Sequence, residues 1–203
     1  MIQVVGVGPG DVGMLTGAAR EAIASSTVLV GGSRNLAMFP EYQGEKFPIE
    51  GGLTAALDYI RANADRGVAV VASGDPLLFG IGKYLAEKLG SSRVNIIPGI
   101  SSVQYLCARA HLDMNHMFLS STHGREPDWD SIFAHRKVGL VTDDRWGPRE
   151  LAEEAVGRGL SPEFIVGVRL SYPDERVIRG SAQAILREDI TGMSVVVMIG
   201  DDK

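Results

Sequence analysis

The chain has 203 residues, 45% of them hydrophobic and 22% charged, which excludes global disorder and suits one large domain or two small ones. Its 20 Lys+Arg against 25 Asp+Glu leave a net charge of −5, a poor match to the phosphate backbone of a nucleic acid. A single cysteine, Cys107, excludes an internal disulfide framework and a four-cysteine zinc site. Apolar runs fall short of the ~20 residues of a membrane span, and the N-terminus lacks the pattern of a signal peptide. The expectation is a cytoplasmic enzyme with no membrane or nucleic-acid partner.

Val4, Val5 and Val7 open the chain as a short buried strand, followed at once by glycines. A helix is predicted over Thr16–Ala24 and a strand over Thr27–Val30. Leu53, Ala56, Leu57 and Ile60 recur at helical spacing. Val68–Ala72 is a continuous β-rich run, as expected of a strand covered on both faces. Leu78, Ile81, Leu85 and Leu89 predict another helix stopped by Gly90, and Val94–Ile97 another strand. Pro98 and Gly99 then turn into a helix carrying Ile100, Val103, Cys107 and Ala110. This βαβ alternation predicts an α/β fold whose N-terminal part is an open, mostly parallel sheet with helices on both faces.

The polar run His111–His116 breaks the rhythm, giving domains at 1–112 and 113–203. In the second, strands are predicted at Met117–Leu119, Val138–Thr142, Phe164–Leu170, Arg176–Ile178 and Val195–Ile199. Helices fall around Trp129–His135, from Pro148 to near Gly159, and at Ala182–Leu186. Ser171-Tyr172-Pro173-Asp174 is a tight-turn sequence. A mixed sheet is expected there.

Gly6-Val7-Gly8-Pro9-Gly10-Asp11 directly follows the first strand, and Gly8 to Gly13 satisfies G-x-G-x-x-G. A dinucleotide site also needs an acid near the end of the second strand, where this chain has Gly31-Gly32-Ser33-Arg34. An NADP-linked reductase using Arg34 on the extra phosphate is one reading; a glycine turn that only reverses the chain is another. Ser73-Gly74-Asp75-Pro76 ends the central strand, where ligands of open α/β sheets bind, although Asp75 could equally cap the next helix. Pro98-Gly99-Ile100-Ser101-Ser102 is a third loop of this kind. Cys107 reads as a small core residue, and His111 and His116 lack the spacing of a one-face metal pair, so no metal is expected. His123 lies in a loop beside Gly124 and Arg125. Asp143-Asp144 could accept a proton or simply be solvated, and the residues identify no general base.

These three loops, with Ser121-Thr122-His123-Gly124-Arg125, Leu140-Val141-Thr142-Asp143 and Leu170-Ser171-Tyr172-Pro173-Asp174-Glu175-Arg176, resemble the tetrapyrrole (corrin/porphyrin) methylase family over essentially the whole chain. The set is most similar to the branch acting at C-5 of a late corrin intermediate, precorrin-7 or cobalt-precorrin-7, in cobalamin biosynthesis. Members of the family that make the first uroporphyrinogen methylations carry two glycines before the aspartate, where this chain has Ser73-Gly74. The resemblance implies two α/β domains with S-adenosyl-L-methionine in a cleft between them. It implies cofactor contacts at Pro9, Gly74, Asp75, Leu78, Ser101, Ser102, Thr142 and Leu170, and a homodimer. Methyl transfer needs alignment and exclusion of water more than an activated side-chain nucleophile. The corrinoid substrate carries many carboxylates, which makes arginines in or beside loops candidates to hold it: Arg34, Arg125, Arg145, Arg169 and Arg176. Of these, Arg34, Arg125 and Arg176, with His123, are the substrate-binding candidates. Alternatives are a family member acting on another ring carbon, ribosomal RNA or a diphthine precursor, and a non-catalytic tetrapyrrole- or nucleotide-binding subunit. Only Gly200, Asp201, Asp202 and Lys203 follow the last strand, so one methylation is expected, with a separate C-15 methyltransferase and decarboxylase acting in the same pathway.

Overall fold

The computed structural model describes residues 1–200; Asp201, Asp202 and Lys203, which follow the last predicted strand, lie outside the described residues. The chain forms two compact units that divide between Ser101 and Ser102.

The first unit contains β1 (Ile2–Gly6), α1 (Gly17–Ser25), β2 (Val28–Gly31), α2 (Ser33–Ala37), β3 (Glu45–Pro48), α3 (Leu53–Ala62), β4 (Val68–Ala72), α4 (Gly82–Leu89) and β5 (Val94–Ile97). Its 5-stranded sheet has the order β3-β2-β4-β1-β5, every pair parallel. Alternate residues of the apolar strands serve opposite faces. Val4, Val28, Val68 and Val70 pack with Leu57 and Ile60 of α3 and Leu85 of α4. Val5, Leu29, Ala69 and Val71 pack with Ala19 and Ile23 of α1 and Leu36 of α2. Thr16 caps α1 by accepting the Ala19 N–H at 3.1 Å.

The second unit contains α5 (Ser102–Arg109), β6 (Phe118–Ser121), α6 (Trp129–Phe133), β7 (Lys137–Val141), α7 (Pro148–Gly157), β8 (Glu163–Val168), β9 (Arg176–Ser181), α8 (Ala182–Ile185) and β10 (Ser194–Ile199). Its 5-stranded sheet runs β6-β7-β10-β8-β9, with β6 and β7 parallel and the other pairs antiparallel. Leu140, Phe164, Val166 and Val196 face Leu151 and Ala155 of α7 and Ile185 of α8. Ile165, Val195 and Val197 on the other face meet Val103, Leu106 and Cys107 of α5.

That last contact explains why the division falls at Ser101 and Ser102 rather than at 112 and 113. The polar run after α5 marks a loop, but α5 buries its apolar face on the second sheet and belongs with it. Two further differences are local. The predicted helix from Leu78 begins only at Gly82, because Phe79 takes a left-handed φ of 53° and the Gly82 N–H closes on the Pro76 carbonyl at 2.8 Å. Helix α2 and strand β3 carry no strong apolar period and have no counterpart among the predicted elements.

Candidate functional site

In a parallel sheet all carboxyl ends share one edge, and β1 lies between β4 and β5. The loops following these three strands are therefore neighbours, and they meet backbone to backbone. Gly8 and Gly74 form an isolated bridge, the Gly74 N–H donating to the Gly8 carbonyl at 2.8 Å and the Gly8 N–H to the Gly74 carbonyl at 3.3 Å. A methyl group on Gly99 would stand 2.2 Å from the Gly74 carbonyl oxygen and 2.8 Å from the Gly6 Cα. On Gly6 it would stand 2.5 Å from the Gly99 nitrogen. Only glycine permits this approach, which accounts for the clustering of glycines beside apolar strands.

Asp75 ties the second loop to the third. Its Oδ1 accepts the Leu77 N–H at 2.8 Å and its Oδ2 the Gly99 N–H at 3.2 Å. Helix α4 starts beyond it at Gly82, with no side-chain cap, so Asp75 is not the cap of that helix. Pro9, Gly74, Asp75 and Leu78 are partly exposed, and Ser101 is buried. Leu77, between Asp75 and Leu78, is 60% exposed, an apolar side chain held in solvent beside these loops.

The geometry departs from a dinucleotide site. After Gly8-Pro9-Gly10, Asp11 caps a 3-10 turn at Val12–Met14, and α1 waits until Gly17, so the loop does not run into a helix N-terminus as a pyrophosphate cradle does. Strand β4 also separates β1 from β2, so Arg34 follows a strand that is not β1's neighbour.

The second unit, which also holds the half-buried Ser102 at the start of α5, gathers its other candidate residues in the same manner. β6, β7 and β8 end, and β9 and β10 begin, at one edge of the sheet. His123, Arg125, Thr142, Leu170 and Arg176 all lie there. Thr142 is buried and donates to the Ser194 carbonyl at 2.7 Å, with the Ser194 hydroxyl at 2.9 Å. The Leu170 side chain packs into the core with Val103 and Ile165, and Gly167 leaves room for it. Arg176 donates to the Asp189 carbonyl at 3.0 Å and pairs with Glu188 at 3.4 Å. His123 is exposed, its backbone N–H donating to the Ser121 hydroxyl at 3.1 Å.

Two carboxylates hold these loops. Asp143 Oδ2 accepts the Gly124 N–H at 2.8 Å, and Oδ1 accepts the Arg145 and Trp146 N–H groups at 3.0 and 2.9 Å. The Gly124 and Trp146 N–H donors hold its carboxyl below the usual aspartate range. A carboxylate so engaged is a clamp between loops, not a proton acceptor. Glu175 is the second; it stands inside the Leu170–Arg176 motif, where nothing in the sequence sets it apart as a clamp. It accepts the Ser171 N–H at 2.6 Å and Arg109 Nε at 2.7 Å, with Tyr105 as a further donor. Burial alone pushes Glu175 up, but these donors outweigh it and hold the carboxyl low. The turn they fix, Arg169–Glu175, carries left-handed φ values of 46° at Arg169 and 66° at Ser171. Cys107 is buried and its thiol is pushed up by desolvation, consistent with a core residue.

A sequence profile of the tetrapyrrole (corrin/porphyrin) methylases matches residues 1–186. The chain belongs to this family. It is 48% identical to the cobalt-precorrin-7 C(5)-methyltransferase of Salmonella typhimurium over 178 residues, covering 87% of this chain and 89% of that one. It is 33% identical over 161 residues to a decarboxylating precorrin-6Y C(5,15)-methyltransferase from Sinorhizobium, covering 78% of this chain but 39% of that one. A uroporphyrin-III C-methyltransferase from Thermus thermophilus, solved with S-adenosylhomocysteine, shares the fold at a TM-score of 0.79 and 20% identity, over 97% of this methylase and 91% of that chain. Among the described residues, no helix is long and apolar enough to cross a membrane.

Proposed function

We propose that this methylase transfers a methyl group from S-adenosylmethionine to C-5 of a late corrin intermediate in cobalamin biosynthesis, precorrin-7 in its cobalt form. The observation that carries the reading is the 48% identity to a cobalt-precorrin-7 C(5)-methyltransferase across 87% of the chain. S-adenosylmethionine, when bound, supplies an electrophilic methyl group. The glycine-lined meeting of the loops after β1, β4 and β5 fits such a ligand, because bare backbone can approach it closely. We assign to cofactor binding Pro9, Gly74, Asp75, Leu78 and Ser101 of the first unit, and Ser102, Thr142 and Leu170 of the second. Asp75 keeps lone pairs beyond the two it gives to Leu77 and Gly99, and these suit ligand hydroxyls. Leu170 has its side chain in the core, so its contribution is backbone. Arg34, His123, Arg125 and Arg176 are assigned to the carboxylates of the acceptor. The chain's task is orientation and exclusion of water, since an electron-rich ring carbon is already nucleophilic.

Titration calorimetry with S-adenosylhomocysteine and NADPH side by side tests the cofactor. S-adenosylhomocysteine is expected to bind at about micromolar affinity, near −8 kcal/mol, and NADPH not to bind; the reverse order overturns the reading. The match covers 89% of the C(5)-methyltransferase relative but 39% of the C(5,15) relative, which supports a single methylation at C-5 by the part described. Mass spectrometry of the corrinoid product is expected to show a single added methyl and no loss of carbon dioxide. A second methyl, or a product lighter by carbon dioxide, contradicts that division of labour.

A further inference from the structure

The arginines at the two sheet edges differ in what they already hold. Arg145 pairs with Glu126 at 3.2 Å, Arg169 with Asp174 at 2.5 Å and Arg176 with Glu188 at 3.4 Å. Arg34 is exposed, and among the described residues it pairs with no carboxylate. Its Nη2 instead donates to the Ser73 hydroxyl at 2.7 Å, and Ser73 donates its own proton to Asn35 Oδ1 at 3.1 Å.

The fold dictates this meeting. β2 and β4 are paired with Gly31 opposite Val71, so the segments leaving the two strands run side by side. α2 begins immediately, placing Arg34 and Asn35 in its first turn next to Ser73, the first residue after β4. Ser73 in turn precedes Gly74 and Asp75, the loop that meets the β1 and β5 loops. A hydroxyl carries one proton. By spending it on Asn35, Ser73 presents lone pairs to the guanidinium and fixes where the fork sits. A neutral partner leaves the Arg34 charge uncompensated, with most of its five N–H donors available for a carboxylate.

We infer that Ser73, oriented by Asn35, is a positioning residue that aims Arg34 at a carboxylate arm of the corrinoid acceptor. The inference rests on the methyltransferase reading above and adds to it what distinguishes Ser73-Gly74 from a pair of glycines: a glycine at position 73 has nothing with which to hold Arg34. Ser73 contributes through Arg34 to acceptor binding, and neither to cofactor affinity nor to the chemical step.

Steady-state kinetics with cobalt-precorrin-7, together with calorimetry of S-adenosylhomocysteine, separate these claims. Arg34→Ala is expected to raise the acceptor KM by about a hundredfold, the size of a lost hydrogen-bonded ion contact. Ser73→Ala is expected to raise it about tenfold with kcat and S-adenosylhomocysteine affinity unchanged. Ser73→Thr, which keeps the hydroxyl, restores the wild-type KM. In the double variant the effect of Ser73→Ala disappears, because it acts only through Arg34. An unchanged acceptor KM in Ser73→Ala, or full additivity with Arg34→Ala, overturns the aiming role while leaving the methyltransferase reading standing. A wild-type chain that binds no S-adenosylhomocysteine and transfers no methyl overturns the underlying reading instead.

Discussion

The two units hold their loops by opposite means. In the first, the loops after β1, β4 and β5 meet through backbone, with Gly6, Gly74 and Gly99 in mutual contact and Asp75 added as a tie. In the second, the loops after β6, β7 and β8 are held by side-chain carboxylates, Asp143 gathering Gly124, Arg145 and Trp146, and Glu175 gathering Ser171 and Arg109. Backbone packing tolerates no added atom and is insensitive to pH. Carboxylate clamps tolerate changes of shape but depend on ionisation. The same task, fixing loops at a sheet edge, thus carries a steric vulnerability in one unit and an electrostatic one in the other.

The largest effect should come from breaking the steric arrangement. Gly99→Ala forces a methyl group to 2.2 Å from the Gly74 carbonyl oxygen, with backbone on both sides and no flexible side chain to move away. We expect a loss of about 3 kcal/mol or more, at or above the upper range for overpacking, together with loss of S-adenosylhomocysteine binding. Urea unfolding checks the first and calorimetry the second. A variant as stable as the wild type would mean that the loops do not meet as tightly as described.

The electrostatic arrangement should be softer and should show its pH dependence. Glu175 is largely buried, its side chain 13% exposed, and removing it leaves the Ser171 N–H and Arg109 without their acceptor. Glu175→Ala is expected to cost about 2 kcal/mol, the desolvation penalty of orphaned donors. The folded pKa of Glu175 lies below the ordinary 4.5. The unfolded chain therefore binds the proton more readily, and the contribution is present above that ordinary value and fades as pH falls through the folded pKa. The wild type should lose more stability than Glu175→Ala between neutral pH and the acid side of that window. Parallel pH profiles of urea midpoints would sink the clamp.

The contrast also decides what could be read from the chain. The glycine loops are contiguous motifs directly after apolar strands, so their position at one edge follows from parallel pairing alone. The clamps join residues brought together only by tertiary structure: Glu175 reaches Arg109 from another element, and nothing local distinguishes it from Asp174 beside it. Ser73 stood inside a legible motif, yet its partner Asn35 lies on α2, a short helix hidden in a run read as loop. β3 is not legible in the sequence because Glu-Lys-Phe-Pro is an edge strand with one covering neighbour and a proline at its end, so burial imposes no apolar pattern on it. The unit boundary moved for a related reason. A polar run reveals a loop, whereas ownership of α5 depends on which sheet receives Val103, Leu106 and Cys107.

The smallest change in stability is expected where the two strategies coincide. Asp75 is a carboxylate clamp inside the glycine-packed unit, accepting from Leu77 at 2.8 Å and from Gly99 at the longer 3.2 Å. In Asp75→Asn the amide oxygen can keep the Leu77 contact, while the amide NH2 faces the Gly99 N–H and loses the weaker one. Gly99 is already fixed by its contacts with Gly6 and Gly74, so the loop should stay in place and the cost in stability should be about 0.5 kcal/mol, the low end for one hydrogen bond. Cofactor binding has no such redundancy, because backbone packing cannot replace the lone pairs that an ionised carboxylate offers to hydroxyl groups. S-adenosylhomocysteine affinity should therefore fall about tenfold, or 1.4 kcal/mol, with an almost unchanged melting temperature. A variant that melts far below the wild type yet binds S-adenosylhomocysteine normally would reassign Asp75 to the scaffold alone, and would mean that glycine packing does not suffice to hold the three loops together.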